Sequence, residues 1–489
     1  DVMSAVIAFN SIGWAPSNVA YRLAQALLGD ADLTGPSEQP SSATAYVIAS
    51  TLTAGRHVRV AASDRAELNA LAGNDNIAKG ASKLTIDPVT GPNYGATLDQ
   101  ARAREAGFGM SGSAVGAILA LNKVSAKAAA SVDAASTITA GGDVTVQAID
   151  DAAITAHSSI VQDAAATMTL ALLLDLANNL LATKGSDYTT ASGTRQIVTG
   201  DRVRLGSAYA GGGVAGEVYV YGGATPVTLD LGGTNYATAT GWTRLVPATN
   251  QSGLETIFPG ITEASGLNLA ATSARAIGII IVTNDVRSRT TATLAAPVTA
   301  GGAVRVEALG EGTIRADVES NVAANGGSFL GAGSVLSVGG IAATNVVLAD
   351  ATATVTADVT AASLTVLAEL TTGIDATVAS ALLSAGNGAS FVLAFNSIGW
   401  ASQNLLFNLV DALLADPLIS SAFGGNDIAT ASASVTGAKL TLTGALDVSA
   451  RSAARLNATV SNAASSVASA LYGATGAAVG GILASNKVS

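Results

Sequence analysis

The sequence predicts an all-β fold: a parallel β-solenoid, or β-helix, with short amphipathic helical insertions and one small β-rich insertion. Three observations predict it. First, a phrase recurs five times, led by TAGRHVRVAA (Val58, Val60, Leu68), TAGGDVTVQA (Val144, Val146, Ile154) and TAGGAVRVEA (Val304, Val306, Ile314). Looser copies carry Leu364, Val366 and Ile374, then Leu446, Val448 and Leu456. In all five, ten residues separate the first strand residue from the later apolar one, a spacing without drift that suits equivalent places in a stack. Second, a small-residue apolar strand ends in Asn at Asn10, Asn122, Asn284, Asn345, Asn396 and Asn486. Third, aromatics make up only 4% and charged residues 12% of the chain, against 53 glycines, which suits thin coils with small interiors. The usual hand of parallel connections favours a right-handed coil.

In chain order, residues 1–187 read as solenoid with helical insertions near 17–30 and 163–184. Residues 188–270 read as a small aromatic-rich β insertion. Residues 271–489 read as solenoid again, with a helical insertion near 402–416. From the terminal Asn to the next phrase the distance is 22, 20 or 19 residues after Asn122, Asn284 and Asn345, but 48 and 50 after Asn10 and Asn396. One unit of about three coils, with insertions at fixed corners, accounts for these distances and predicts about 13 to 16 coils in a rod of roughly 60 to 80 Å.

The two long intervals both begin Phe-Asn-Ser-Ile-Gly-Trp, at Phe9–Trp14 and Phe395–Trp400. Each then turns helical. Ser17 caps a stripe of Val19, Leu23, Ala26 and Leu27; Ser402 caps Leu405, Leu409, Ala412 and Leu413. A third helix is expected from Asp163 through Leu170, Leu173, Leu174, Ala177 and Leu181. Each stripe puts one apolar face against the flank of the stack. Basic residues are nearly absent from these helices, which disfavours a membrane surface. The sequence begins and ends inside repeat units, as expected of a window on a longer repetitive protein.

Composition narrows function further. The absence of cysteine removes disulfides, thiolate metal sites and cysteine nucleophiles. A net charge of −11 disfavours nucleic acid, whose phosphates need a basic surface. Apolar runs such as Ile277–Val282 fall far short of the roughly 18 residues of a membrane span, so none is expected.

No catalytic residue is assigned, and the chain is not expected to be an enzyme. His57 and His157 have no motif partners and are expected in turns or on the surface. Asp150 and Asp151, the adjacent acidic pair, are expected in a turn between strands, outside any paired-carboxylate site. No cofactor is expected. Calcium is the one metal considered, because Gly73-Asn74-Asp75-Asn76 and Gly424-Gly425-Asn426-Asp427 resemble fragments of glycine-aspartate calcium repeats, though turns favour the same residues. In the aromatic insertion, strands are expected at 201–205 and 216–221. Tyr209, Tyr236 and Trp242 are the candidate glycan contacts, provided at least two lie exposed in one plane; the competing expectation is that a small module needs its aromatics inside.

The Asn-ending strand, TAGGDVTVQA and the alternating strand after it resemble the very large bacterial exoproteins with filamentous-haemagglutinin-like β-helices. FNSIGWASQNLLFNLVDALLADPLISSAFG and the stretch from Gly200 to Val246 resemble recurrent insertions in those proteins. The resemblance covers most of the chain. It implies a parallel β-solenoid, export, and a structural and adhesive role as the stalk of an extracellular bacterial surface or matrix protein, with cell-surface or matrix glycans as partners. It transfers no catalytic residue. The alternatives are a self-associating extracellular filament or sheath subunit, and a polysaccharide-acting β-helix enzyme.

Overall fold

A computed structural model of the chain describes residues 1–15, 19–28, 38–79, 110–166, 186–246, 272–326, 334–400, 409, 429–467 and 476–489. It is nearly all β, and its sheets are mostly parallel, compatible with a parallel solenoid. Each circuit of the chain contains a long stretch of strand, a short strand and a second long strand. The first circuit is β1 (Val2–Ile12), α1 (Val19–Leu28), β2 (Ser41–Val47), β3 (Thr51–Ala54) and β4 (Val58–Lys79). The second is β5 (Met110–Val132), β6 (Thr137–Ala140) and β7 (Val144–Ala165). A small module follows, with β8 (Tyr188–Thr189), β9 (Thr194–Ile197), β10 (Arg202–Arg204), β11 (Val218–Tyr221), β12 (Val227–Asp230) and β13 (Trp242–Leu245). The third circuit is β14 (Thr272–Leu294), β15 (Val298–Ala300) and β16 (Ala303–Asn325); the fourth is β17 (Val335–Val355), β18 (Val359–Ala361) and β19 (Ser363–Ser384). The fifth is β20 (Asn387–Ile398), β21 (Thr430–Val435), β22 (Leu440–Leu442) and β23 (Leu446–Ser466), and β24 (Ala478–Val488) opens a sixth.

Three parallel sheets result. The first long sheet runs β1-β5-β14-β17-β20-β24, with β2 beside β5 and β21 beside β17. The short sheet runs β3-β6-β15-β18-β22, and the second long sheet β4-β7-β16-β19-β23. The five phrases fall into register: Val58, Val144, Val304, Leu364 and Leu446 form one column, and Leu68, Ile154, Ile314, Ile374 and Leu456 another. Val144, Val304 and Leu364 are fully buried, whereas Leu446 is 49% exposed because no strand lies beyond β23 among the described residues. Three of these four members of one column are thus inside the stack.

The size of the unit differs from the sequence expectation. Asn284 and Asn345 are 61 residues apart and one circuit apart, so a repeat is one coil, not three. Five circuits at about 4.8 Å give a stack roughly 24 Å high, not 60–80 Å. The two alternating segments read as separate strands are one: Val304 and Ile314 both lie in β16. An interval of ten is even, so both face inward from the same strand.

Insertions enter at two places. Residues 80–109, 167–271, 327–333 and 468–475 connect the second long sheet back to the first or carry the small module. The FNSIGW insertions do not lie at a corner. They interrupt one long strand row of the first sheet: Ile12 pairs with Val124 and Ser41 with Ala126, so β1 and β2 continue one line. Gly13 makes the exit at φ +74°, and a Cβ there would collide with the backbone of Ser125. Gly399 does the same at φ +81° in the fifth circuit. The Gly13 carbonyl accepts from Gln39 N at 2.9 Å, which closes the neck of the insertion.

The expected helix near 17–30 forms as α1. Leu23 and Ala26 pack on Leu119 and Leu121, on the outer face of the first long sheet. Leu27, expected beside them, is exposed: it lies one helical step past Ala26 and is rotated towards solvent. Asp163 does not cap a helix, since β7 runs through it to Ala165; the rest of that expected helix lies outside the described residues. Of the helix near 402–416, only Leu409 lies among them, and it is helical.

Between the long sheets the core is built from columns. Ile118, Ile280, Ile341 and Val392 face Ile160, Val318 and Val378. Beside them the six Asn-ending strands align, and their side chains form one ladder: Asn10 to Asn122 (2.9 Å), Asn122 to Asn284 (2.9 Å), Asn284 to Asn345 (2.7 Å), Asn345 to Asn396 (2.8 Å) and Asn396 to Asn486 (2.9 Å). Each amide donates to the next circuit and accepts from the one before, so a buried polar group is satisfied by its own repetition. Another column is nearly all small, with Ser4, Gly116, Gly278, Gly339, Ser390 and Gly480. A Cβ at Gly278 would lie 2.8 Å from the Val322 side chain, so the missing side chains make room for the opposite sheet.

Replacing Asn284 by Ala removes two ladder bonds and strands a donor on Asn122 and an acceptor on Asn345. The expected loss is about 2–4 kcal/mol in denaturant unfolding, with a clearly smaller loss for Asn10→Ala at the edge. Equal losses at both positions would show that the ladder does not act through burial.

Candidate functional site

The densest chemistry among the described residues lies where the first FNSIGW insertion meets the outer face of the first long sheet. Gly13 turns the chain out and delivers Trp14 over the neighbouring circuits. Lys123 Nζ sits 4.1 Å from the centre of the indole and the Arg287 guanidinium carbon 4.7 Å. Lys123 donates to Gln25 Oε1 of α1 at 3.2 Å. Arg287 pairs with Glu38 at 3.1 Å and with Asp285 at 3.0 Å, and Ser125 Oγ donates to Glu38 at 2.6 Å. Lys123 and Asp285 are nearly inaccessible to solvent, so these charges are compensated by each other and by the ring.

The second FNSIGW copy repeats the unit. Trp400 receives Lys487 at 5.6 Å, and Lys487 follows Asn486 as Lys123 follows Asn122. The two motifs are thus two halves of one cross-circuit contact: the Trp stands on one circuit and the Lys of Asn-Lys-Val-Ser on the next. Their joint recurrence, Phe-Asn-Ser-Ile-Gly-Trp with Asn-Lys-Val-Ser, is the signal for this contact in the sequence. Chemically, the arrangement fastens an insertion to the stack. Its charged groups are occupied with one another, Trp14 Nε1 is buried without a hydrogen-bond partner, and the cleft between Phe9, Trp14, Gln25, Leu121 and Lys123 is only about large enough for a water molecule.

The acidic pair is not in a turn. Asp150 and Asp151 lie within β7, and their side chains point to opposite faces. Asp151 faces out and pairs with Arg65 at 3.0 Å. Asp150 is buried in the core, with Asp64 in register on one side and Gly310 on the other. Ser288 Oγ donates to its Oδ2 at 2.6 Å, while Oδ1 is buried without a hydrogen-bond partner. Burial pushes the Asp150 carboxyl up to about 7; the Ser288 hydroxyl opposes this, and the charges of Asp64 and Asp151 add to it.

Both histidines find carboxylates on the adjacent circuit. His57 Nδ1 accepts from Asp143 N at 2.9 Å, with the Asp143 carboxylate 3.5 Å away, and His157 Nδ1 lies 3.2 Å from Asp317. All four side chains are substantially exposed, on the surface of the stack. The outer face of the second long sheet also carries Arg59, Gln147 and Glu307 in a hydrogen-bonded row across three circuits.

Gly73–Asn76 is strand, not turn. Within β4, Asn74 and Asn76 point inward and bond to the Ala117 and Val115 carbonyls, while Asp75 points out, so the three cannot converge on a calcium ion. Gly424–Asp427 lies outside the described residues. No group of three or more potential metal-ligating side chains occurs among the described residues.

In the small module, β10 and β11 form at the expected positions, antiparallel to each other, and β13 pairs with β11. The aromatics are its core. Tyr236 is 2% exposed, and Tyr209, Tyr219 and Trp242 surround it at ring separations of 5.8, 5.6 and 4.9 Å. Tyr209 and Trp242 meet Tyr236 edge-on, at 68° and 74°. Tyr209, Tyr236 and Trp242 therefore meet edge to face rather than in one exposed plane, the arrangement of the competing expectation that a small module packs its aromatics inside. The hydroxyls are used internally: Tyr209 donates to Thr234 O, Tyr236 to Leu231 O and Tyr221 to Thr225 O. A module this small has little else with which to fill its interior.

The raised carboxyl of Asp150 makes stability depend on pH. Its folded value lies above the 3.8 of an ordinary aspartate, so the folded chain holds the proton more tightly than the unfolded chain. The penalty is absent below about pH 4, grows as pH rises and is complete above about pH 7, reaching at most about 4 kcal/mol. Asp150→Asn should therefore match the parent near pH 4 and exceed it increasingly towards pH 8 in thermal unfolding; parallel profiles would show that Asp150 is ionised throughout. No family model, curated protein or solved structure matches the chain.

Proposed function

We propose that the chain is a structural and adhesive stalk segment of a very large extracellular bacterial surface protein, a right-handed parallel β-solenoid that carries inserted modules. The observation that carries this reading is the unbroken register. Six asparagines bond in one ladder across all circuits, while every insertion leaves that register intact. An architecture with one continuous internal order and variable attachments suits a scaffold that holds other parts at a distance. The fastened insertion at Trp14 and the small module with its own core support the same reading, since the strands on either side of each keep their register. Self-association into a filament or sheath is the second reading, favoured by exposed apolar side chains such as Ile279 and Phe391 on the outer face of the first long sheet.

Protease shaving of intact cells of the source organism tests the location. Peptides from the chain are expected in the released fraction, and their retention in intact cells would overturn the surface assignment. Pulling single molecules from both ends tests the stalk. Circuits should release one at a time in steps that follow their own lengths: about 200 Å for the 61 residues from Asn284 to Asn345 and about 170 Å for the 51 from Asn345 to Asn396, given about 3.4 Å per extended residue. One low-force event for the whole chain would count against a mechanical role.

A further inference from the structure

Lys123 is a nucleophile shut away from water beside a group it can attack. Its side chain is 4% exposed, and Nζ donates to Oε1 of Gln25 at 3.2 Å. Gln25 lies on α1 and is 2% exposed. Its carbonyl carbon is one bond of about 1.2 Å from Oε1, so it stands at most about 4.4 Å from Nζ. A small shift of the flexible lysine stem brings the two atoms to the roughly 3–3.5 Å at which an amine attacks a carbonyl. The surroundings suit that reaction. The Trp14 ring covers Nζ at 4.1 Å from its centre, and the Arg287 guanidinium lies over the same ring, a like charge that favours the neutral amine. Asp285, nearly inaccessible, stands in register with Lys123 on the neighbouring strand. Arg22 precedes Gln25 by three residues, so it projects from the same side of α1, and it lines the same cleft.

We propose that Lys123 and Gln25 join through an amide bond that the folded chain makes for itself, with loss of ammonia. In a site closed to water, an ammonium and a carboxylate lower their desolvation cost by becoming amine and acid. Lys123 passes one proton to Asp285 in this way. The Nζ lone pair then attacks Cδ of Gln25, the carbonyl π pair moves onto Oε1, and the positive charge of Arg22 stabilises the oxyanion. The acid form of Asp285 protonates Nε2. As the oxyanion collapses, the bond from Cδ to Nε2 breaks and ammonia departs. Nζ gives its surplus proton to Asp285, and that proton leaves with the ammonia as ammonium. No oxidant, reductant or further reactant enters. The cleft beside Gln25 and Lys123 has room for a molecule about the size of water, which is also the size of ammonia. The new bond closes the chain between positions 98 residues apart and ties α1 covalently to the second circuit. The inference does not rest on the stalk reading: the bond forms wherever the protein resides.

The intact mass of the purified chain, read under denaturing conditions, tests it. The mass should fall short of the sequence by one ammonia. A tryptic digest should contain a branched peptide in which residues 23–56 are joined to residues 105–127, with no cleavage after Lys123. Lys123→Arg keeps the positive charge but removes the amine, and Gln25→Met removes the acyl group at similar length. Both should fold, by circular dichroism, and both should show the full mass. Asp285→Asn, if it folds, should also keep the full mass. The full sequence mass in the parent chain overturns the inference, because lysine and glutamine are then held by a hydrogen bond alone. A deficit that persists in Lys123→Arg, or that maps to another peptide, overturns it as well. A deficit that forms as fast in a folded Asp285→Asn chain overturns the proton transfer through Asp285.

Discussion

Everything in this structure depends on like residues meeting like residues at one strand spacing. The inner columns, the asparagine ladder and the small-residue column are the same constraint expressed in different side chains. A buried amide is costly when alone. In a stack its neighbour above is an acceptor and its neighbour below a donor, so repetition removes the cost. The constraint is strict in the interior and loose elsewhere, which is why the chain tolerates long insertions but keeps the inner columns almost unchanged. Asp150 tests that tolerance from inside: it shares a column with Asp64, Gly310, Leu370 and Ser452, and its burial raises its carboxyl to about 7.

The columns were legible in the sequence, since the ten-residue interval and the Asn-ending strands named their members correctly. The length of the strands was not. Alternation shows which way a side chain points but not where a strand ends, and β16 runs 23 residues straight through Gly310-Glu311-Gly312, which sequence rules count as a break. Counting its two halves as two strands tripled the expected number of coils. The same limit misplaced Gly73–Asn76. Asn, Asp and Gly mark turns in isolation, yet here Asn74 and Asn76 are interior residues bonded to Ala117 and Val115 of the facing sheet. The described part of the aromatic insertion has a small core of its own, but whether its rings faced in or out depended on core volume, which local pattern does not report.

The Trp14 and Trp400 motifs show how a distant pair can be hidden in plain sequence. Trp14 and Lys123 are more than a hundred residues apart, and neither is informative alone. Stacking brings them together because Asn10 and Asn122 share a column. In a repetitive chain, motifs that recur at matching column positions are therefore candidates for direct contact, whatever their separation along the sequence.

The long circuit also sets a balance between stiffness and reach. With 61 residues in one turn of the third circuit and about 4.8 Å of rise, the stack advances less than about 0.1 Å per residue, against about 1.5 Å in an α-helix. A chain wound this way grows slowly in length and quickly in girth. Resistance to bending rises steeply with the width of a beam, so two sheets of long strands make a short, rigid girder, and a slender thread would need far fewer residues for the same span.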